Sequence, residues 1–286
     1  MNEAKKQSQI KEVWRRFKKN KPAVIGLIIF VLLCLVAVFG ELIVPYDKAI
    51  EQDIMLRLQK PSWEYWFGTD GYGRDQFARV VHSAKISLSI GVFASVGGLI
   101  IGCIIGACSA MYGSRVDNLL MRLIDVLASI PPMLLAMICV ASLGSSMLNL
   151  IISITISNIP VFARLARSTM LGVIDSDYVT AARIYGTSDA RLLLKHIMPN
   201  AIGPMIVQTT MSVADMILTA ASLSYLGMGI QPPTPEWGGM LNAGREFMQT
   251  DIYLLVFPGI AIILAALSVS LLGDGLRDAL DPKLKS

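Results

Sequence analysis

Long apolar stretches recur along this sequence and constrain its fold more than any other feature. A helix that crosses about 30 Å of hydrocarbon needs about 20 predominantly apolar residues, because its backbone must satisfy its own hydrogen bonds there. Charges are nearly absent from the stretches: the third contains only Arg122 and Asp125, and the fifth only Asp215. The stretches cover residues 22–40, 86–111, 119–141, 147–163, 201–226 and 252–273. They predict an all-α membrane protein with six transmembrane helices.

The composition agrees with a membrane protein and excludes several other classes. Hydrophobic residues make up 54% of the 286 residues and charged residues 16%, whereas soluble domains carry about 25% charged residues. A mean hydropathy of +0.59 argues against an ordinary soluble enzyme, a disordered protein and a secreted disulfide scaffold. The four cysteines lie inside apolar stretches, so we interpret them as buried apolar side chains rather than metal or redox groups.

The distribution of basic residues predicts the orientation. Six spans place both termini on one side, and 18 of the 25 Lys and Arg residues lie on that side. The positive-inside rule therefore predicts that both termini are cytoplasmic. The basic cluster at residues 11–21 fits binding to anionic lipid headgroups better than binding to nucleic acid.

Polar and helix-breaking residues inside the stretches are candidates for a translocation path. Pro131 and Pro132 remove backbone donors in mid-stretch, which predicts a kink or break that either lines a path or serves packing. Asp215 is a costly intramembrane carboxylate, which either faces a water-filled path or stays protonated against a polar neighbour. Arg122 and Asp125 are three residues apart, and we expect a local ion pair between them.

Gly98, Gly102 and Gly106 recur at a spacing of four residues in the second stretch and therefore share one face of a helix. Without Cβ atoms they allow another helix to approach closely. We expect them to mediate packing, either within the chain or, less favoured, at a subunit interface.

The loop between the fourth and fifth stretches, residues 164–200, is long enough to contain structure of its own. Ser176 or Asp175 can cap a helix that runs to about Tyr185, and Gly186 can end it in a left-handed conformation. Thr187 or Ser188 can cap a second helix, which Pro199 is expected to stop. A helical hairpin fixed between two membrane spans suits docking to another protein.

This loop resembles the EAA loop of ABC-importer permeases, because Ala181, Ala182, Gly186 and Pro199 match its pattern in spacing. Thr180 replaces the usual glutamate of the family. The resemblance assigns ATPase coupling to residues at about 175–200, with these candidates: Asp177, Thr180, Ala181, Ala182, Gly186, Asp189, His196 and Pro199.

Three further motifs narrow the resemblance to the dipeptide/oligopeptide/nickel family of permeases, C-type (DppC/OppC-like) subunit. They begin at Phe67, Ser222 and Leu272, and one departure is Ala220, where many relatives have an acid. The first motif contributes the extracytoplasmic residues Gly68, Thr69, Asp70, Gly73, Arg74 and Asp75. We expect its charged members to fix their segment through charge-assisted bonds.

The resemblance implies the ABC type I importer (MetI-like) permease fold, in which residues 1–85 form an N-terminal part and residues 86–286 a five-helix core. It also implies a homologous B-type permease, two cytoplasmic ABC ATPases that use ATP and Mg, and an extracytoplasmic solute-binding protein. The location would be the cytoplasmic (inner) membrane of a bacterium or archaeon. Membrane lipid is a further partner, and nucleic acid is not.

The expected cargo is a di- or oligopeptide, with nickel, a metal chelate or a glutathione-like solute as the alternative. The sequence contains no Gly-Lys dipeptide and hence no Walker A loop, so ATP hydrolysis would belong to other subunits. We expect no metal site, since His82 and His196 are predicted on opposite sides of the membrane. A more distant alternative is a self-sufficient secondary transporter coupled through Asp215 or the Arg122–Asp125 pair.

Overall fold

The computed structural model describes residues 11–280. This part of the chain consists of helices joined by turns and loops. A short helical segment over residues 11–17 precedes the main helices. The main helices are α1 (Lys21–Ile43), α2 (Gln76–Met111), α3 (Gly113–Ala128), α4 (Pro132–Leu143), α5 (Met147–Ile174), α6 (Asp177–Ile184), α7 (Asp189–Tyr225), α8 (Trp237–Gly244) and α9 (Tyr253–Leu280). Among the described residues, strand pairing is limited to one isolated bridge between Thr69 and Asp75.

Within residues 11–280, five helices are long and apolar enough to cross a membrane: α1, α2, α5, α7 and α9. A sixth span results only if α3 and α4 are taken together. The chain bends by 85° between these two helices, and the break lies at residues 129–131. The break predicted from Pro131 and Pro132 is confirmed, and the stretch at residues 119–141 therefore consists of two helices rather than one continuous helix. Pro131 and Pro132 both lack an N–H donor and so prevent α3 from continuing past them. Pro132 then occupies the first position of α4, where no N–H donor is needed.

Several helices extend well beyond the apolar stretches that predicted them. Helix α2 begins at Gln76 rather than at residue 86, because the Asp75 side chain caps it by accepting from the N–H groups of Phe77 and Ala78. Helix α5 continues to Ile174 and α9 to Leu280, past the predicted ends at residues 163 and 273. A helix that leaves the hydrocarbon needs no apolar residues to continue, so hydropathy underestimates its length.

Helices α2 and α5 pack closely along the glycine face of α2. A Cβ atom at Gly106 would lie 2.6 Å from Ala166 Cβ and 2.7 Å from Arg167 N, and Gly98 and Gly102 face the Phe162 side chain. The structure therefore places these three glycines against another helix of the same chain, where dispersion contacts between the two backbones stabilise the bundle.

Buried side chains form a cluster at each end of the bundle. At one end, Leu88 of α2 and Ile217 of α7 surround Trp237, whose Nε1 donates to the Val80 carbonyl at 3.0 Å. At the other end, Ala107 of α2 and Met170 of α5 join residues of the loop that follows α5. The 36 residues of α2, about 54 Å long at 1.5 Å per residue, separate the two ends.

Candidate functional site

The loop between α5 and α7 forms a helical hairpin rooted in the bundle. Val179 of α6 is fully buried together with Leu192 and Ile197 of α7. All three belong to the cluster that includes Ala166 and Met170 of α5. A displacement of the hairpin therefore acts directly on the ends of α5 and α7.

A left-handed glycine closes the turn of the hairpin. Gly186 has a φ of +76° and donates its N–H to the Arg183 carbonyl at 3.0 Å. Thr187 N donates to the Ala182 carbonyl at 3.1 Å. These two bonds form a Schellman motif, which satisfies carbonyls at the end of α6 and suits a residue without a Cβ atom. The helix and the turn are as the sequence predicts.

The outer side of the hairpin exposes large apolar side chains. Ile184 is 80% exposed and Tyr185 is 89% exposed, and Tyr178 and Leu194 are exposed as well. We call Tyr178, Ile184, Tyr185 and Leu194 the docking face. Thr180 and Ala181 are exposed on the same helix, while Ala182 is half-buried. A contiguous apolar surface of this kind is typical of contact with another protein.

Helix α7 does not stop at Pro199, which corrects the prediction from the sequence. It runs from Asp189 to Tyr225 and widens into a π-helical turn at Leu193–Ile197, just before the proline. Pro199 lacks an N–H and its ring crowds the carbonyl one turn earlier, and the wider turn accommodates both effects. His196 lies within this turn, and its carbonyl accepts from Asn200 Nδ2 at 2.8 Å.

Acidic residues begin both helices of the hairpin. Asp177 occupies the first turn of α6 and Asp189 the first turn of α7, and both side chains are exposed. A carboxylate near a helix N-terminus interacts favourably with the helix dipole. Asp177 and Asp189 therefore stabilise the N-terminal ends of the two helices that form the hairpin.

Ion pairs connect α3 to α5 next to the hairpin. Arg167 Nε and Nη2 donate to the two oxygens of Asp117 at 2.5 and 2.6 Å. Arg164 Nη2 donates to Asp125 Oδ1 at 2.7 Å. The expected pair between Arg122 and Asp125 is therefore wrong, because a cation from α5 reaches the carboxylate.

One face of α7 is polar although it lies in a membrane span. Asp215, Thr219 and Ser222 recur at helical spacing on this face, and Asp215 is exposed within the single chain. Both hydroxyls donate to carbonyls one turn earlier, while no described residue hydrogen bonds to the Asp215 carboxylate. An exposed carboxylate at this position suits either a water-filled path or a contact with a second chain.

A cleft of about 500 Å³ lies between the start of α4 and the same helix α7. Its lining is mostly apolar and includes Met133 of α4 and Ser222 of α7, so the break at Pro131 and Pro132 brings the start of α4 next to α7. Both prolines are exposed. Asp215 lies about two turns away from Ser222 and does not line the cleft.

The motif before α2 folds into a compact cap over the opposite end of the bundle. Asp70 Oδ1 accepts from Arg74 N at 3.0 Å, and Asp70 Oδ2 accepts from Arg74 Nε at 2.7 Å. Thr69 Oγ1 accepts from Gln59 N at 2.8 Å. Gly68 and Gly73 have φ values of +75° and +76°, which explains why glycine stands at both turns.

Two charged residues of this region were not among the predicted site residues. Arg79, one turn into α2, donates to the Ala49 carbonyl at 2.9 Å and lies 3.6 Å from Asp70 Oδ2. Glu236 caps α8 by accepting from Gly238 N at 2.9 Å and Gly239 N at 2.8 Å. Burial raises the pKa of the Glu236 carboxyl, although these two bonds oppose the shift. Arg79 lies four residues after the first motif and Glu236 lies within the motif that begins at Ser222, although neither was predicted as a site residue.

No group of three or more metal-ligating side chains occurs within residues 11–280. His82 contacts the Val44 carbonyl at 2.8 Å and so belongs to the cap end of the bundle. His196 belongs to the hairpin at the other end.

A bundle of membrane-spanning helices with one broken helix and an exposed hairpin between two spans is the architecture of a multi-pass membrane protein. Residues 98–286 match the family described as "Binding-protein-dependent transport system inner membrane component". The chain belongs to this family, and it is therefore a permease subunit of an ABC transporter. Residues 8–61 match the family described as "N-terminal TM domain of oligopeptide transport permease C".

Curated relatives cover nearly the whole chain. The "Dipeptide transport system permease protein DppC" of Alkalihalophilus pseudofirmus is 44% identical over 96% of this chain and 90% of that protein. The "Di/tripeptide transport system permease protein DppC" of Pseudomonas aeruginosa is 41% identical over 98% and 94%. The "Glutathione transport system permease protein GsiD" of Escherichia coli is 46% identical over 96% and 90%.

Solved structures share the fold. A chain of the inward-facing MetNI methionine ABC transporter matches with a TM-score of 0.57 and 15% identity, over 71% of this chain and 96% of that one. A chain of an amino acid ABC transporter crystallised with histidines matches with a TM-score of 0.51 and 17% identity, over 69% and 92%. The predicted all-α, MetI-like permease fold is confirmed.

Proposed function

We propose that this chain is one of two related permeases in an ATP-driven importer of small peptides. Two cytoplasmic ATPases dock on the hairpins of the two permeases, and an extracytoplasmic binding protein delivers the peptide. The observation that carries the proposal is the docking face, because Ile184 and Tyr185 are almost fully exposed on a hairpin whose other side is fully buried.

The orientation follows from the same assignment. The hairpin and both termini would lie in the cytoplasm of a bacterium or archaeon, in agreement with the excess of Lys and Arg on that side. The cap, which contains Asp70 and Arg74, would then face the binding protein. The split of the chain into residues 1–85 and 86–286 is part of this proposal.

Coupling would proceed through the buried base of the hairpin. ATPase closure moves α6, and Val179 transmits the movement to Leu192, Ile197 and the end of α5. Packed side chains transmit such displacements because the interior is close to incompressible. The exposed Thr180 leaves the docking helix without the glutamate of the family pattern, so contact with the ATPase would rest on the apolar docking face.

The solute path would run along the polar face of α7. Asp215, Thr219 and Ser222 would line it together with the start of α4 at Pro131 and Pro132. A homologous permease would supply the facing wall, because Asp215 is exposed and Thr219 and Ser222 are partly exposed in the single chain.

The named cargoes of the relatives support a peptide. Two of the three relatives above are named for di- or tripeptide transport, and the third for glutathione. Glutathione is itself a tripeptide thiol, so it is the second candidate. ATP and Mg would bind to the partner ATPases, and this chain would carry no cofactor of its own.

The test is purification of the tagged chain from its host membrane together with bound proteins. We expect a second permease, one or two ATPases and a binding protein. In the variant Ile184→Asp/Tyr185→Asp, ATPase recovery should fall at least about tenfold, because a charge in an apolar contact costs several kcal/mol. The matched control is Trp63→Asp, an exposed aromatic residue at the cap end of the bundle.

Uptake of a labelled dipeptide by proteoliposomes with ATP and the binding protein completes the test. The Ile184→Asp/Tyr185→Asp variant should lose uptake, while Trp63→Asp should keep its ATPases. Uptake driven by an ion gradient in the chain alone would contradict the proposal and favour a secondary transporter.

A further inference from the structure

A cavity of about 670 Å³ lies between the cap and the segment that follows α7. Its volume falls within the range of about 300–1,000 Å³ that is usual for small-molecule sites. Its lining includes charged or polar side chains from four places: Arg57 and Arg74 of the cap, Arg79 at the start of α2, Ser224 at the end of α7, and Glu236 and Glu246 of the segment that follows α7.

Two buried arginines of this lining share a single carboxylate. Arg74 is 2% exposed and binds Asp70 through Nε at 2.7 Å, and Arg79 Nε lies 3.6 Å from the same oxygen. Asp70 already accepts from the backbone N–H groups of Tyr72 and Arg74. The arginine cluster, defined as Asp70, Arg74 and Arg79, therefore has one positive charge in excess.

Guanidinium donors of this cluster remain without acceptors. Arg74 Nη1 and Nη2 hydrogen bond to no residue in the described range 11–280. The same holds for Arg79 Nη2, since Arg79 Nη1 alone donates to the Ala49 carbonyl. These nitrogens are not among the fully buried side-chain atoms without a partner, so they reach the cavity that Arg74 and Arg79 line, and a carboxylate is the group that a guanidinium fork binds best. The cluster thus has the charge and the donors for one bound carboxylate.

The end of α7 and the segment after it supply groups for the rest of a peptide. Ser224 Oγ is buried and has no partner at full hydrogen-bond geometry in the described part of the chain, although it lies beside the Glu236 carboxyl and lowers the pKa of that group. Glu246 lines the cavity, is exposed and forms no ion pair with any described cation. A hydroxyl and a carboxylate of this kind can bind a peptide amide group and an ammonium group.

We propose that this cavity binds the cargo peptide during its transfer into the permease. The terminal nitrogens of Arg74 and Arg79 bind the α-carboxylate, and Glu246 attracts the α-ammonium group. The inference rests on the proposed function, because a peptide must reach the cap from the binding protein. It adds a selection step in the permease for a free C-terminus.

A small solute fits the site better than a side chain of a docked protein. The guanidinium group of Arg74 is buried, so a carboxylate on a protein surface reaches it only if a whole loop enters the cavity. A dipeptide carries its carboxylate at one end of a molecule small enough for this volume. The two sources of a carboxylate are nevertheless separable by experiment.

The test uses the purified importer complex in lipid nanodiscs without its binding protein. Isothermal titration calorimetry with Ala-Ala and with Ala-Ala-amide measures the role of the carboxylate on the unaltered chain. We expect Ala-Ala to bind, and the amide to bind at least about tenfold more weakly, a loss of about 1.4 kcal/mol or more. Absence of Ala-Ala binding at about 10 mM, or equal binding of the amide, would overturn the proposal.

Variants then locate the site. Arg74→Lys keeps a cation beside Asp70 but loses the guanidinium fork, and should weaken Ala-Ala binding at least about tenfold. Ser224→Ala removes a hydroxyl that lines the cavity beside Glu236, so it should weaken Ala-Ala binding. Ser212→Ala, on the same helix but outside the cavity, is the matched control and should bind Ala-Ala normally. Normal affinity in both Arg74→Lys and Ser224→Ala would contradict the assignment.

Two further measurements separate this inference from the proposed function. ATP-dependent uptake of Ala-Ala by the wild type, without direct binding to the permease, would refute the cavity site and leave the peptide importer intact. Absence of peptide uptake would refute the proposed function itself. If Arg74→Lys weakened docking of the binding protein while Ala-Ala failed to bind, the carboxylate would come from that protein and the proposal would be wrong.

Discussion

Arg167 binds both oxygens of Asp117, through Nε at 2.5 Å and Nη2 at 2.6 Å, and so joins α5 to α3. Ser109 Oγ, near the end of α2, also donates to Asp117 Oδ1. One carboxylate therefore connects three helices next to the docking hairpin, at the end of the bundle where ATPase movement would be received.

The first prediction compares this ion pair with a second pair between the same helices. Asp117→Asn should lower the free energy of unfolding by about 1–2 kcal/mol, since it removes a bidentate charge-assisted contact in a partly buried place. Asp125→Asn should cost no more than about 0.5 kcal/mol, because Arg164 and Asp125 are 53% and 64% exposed. The measurement is unfolding of the detergent-solubilised chain; equal losses in the two variants would contradict it.

The second prediction concerns the glycine face of α2. Gly106→Ala should destabilise the chain by about 1–3 kcal/mol, because the new Cβ would lie 2.6 Å from Ala166 Cβ and force α2 and α5 apart. Gly203→Ala is the matched control: it is also a helical glycine in a membrane span, but no atom lies within 4 Å of its Cβ position. It should be neutral or stabilising by about 0.5–1 kcal/mol. Melting temperatures in detergent test both, and a stable Gly106→Ala would refute close packing there.

The third prediction tests whether the hairpin turn matters for coupling beyond its effect on stability. Gly186 and Gly113 have φ values of +76° and +79°, and neither has an atom within 4 Å of its Cβ position. Replacement by valine should therefore strain both backbones similarly, by about 1–2 kcal/mol. Only Gly186→Val distorts the docking hairpin, so it should lower peptide uptake several-fold more than Gly113→Val at equal membrane levels. Equal uptake in the two variants would show that the hairpin turn has no role in coupling beyond its effect on stability.

The hydropathy pattern predicted the helical class and the approximate positions of the spans because lipid exposure acts on every residue of a span. The hydropathy pattern could not predict where helices end outside the membrane, because helix caps such as Asp75 and other side-chain contacts decide those boundaries. The Pro131-Pro132 break was predictable from local backbone chemistry, whereas its angle of 85° depends on the packing of α4. Pro199 shows the limit of the local rule, because a π turn absorbs its effect.

Site residues differ in the same way. Gly186 was predictable because a left-handed turn after α6 has a local signature. The partner of Asp125 was not, because Arg164 is 39 positions away along the chain and only the packing of α3 on α5 brings it close. Arg79 and Glu236 were missed for this reason as well: each acquires its surroundings from distant segments, and no spacing in the sequence records that.

The last prediction is a pH dependence of stability that arises from Glu236. This carboxyl is 2% exposed, and burial raises its pKa above the ordinary value of 4.5. Between 4.5 and the raised pKa, the folded chain binds a proton that the unfolded chain has released. The contribution of Glu236 to the free energy of unfolding therefore decreases as pH rises through this window, and no such change occurs below it.

Glu236→Gln should remove this slope, because an amide does not titrate, at a constant cost from a weaker cap on α8. Ser87→Ala is the matched variant: it keeps the carboxyl but removes a hydroxyl that donates to Glu236 Oε1 at 3.4 Å and favours the ionised form. Its slope should extend to higher pH than that of the wild type. Melting temperatures of the three proteins from about pH 4 to pH 8 test the sign. A difference between wild type and Glu236→Gln that is independent of pH would show that Glu236 does not titrate differently in the two states.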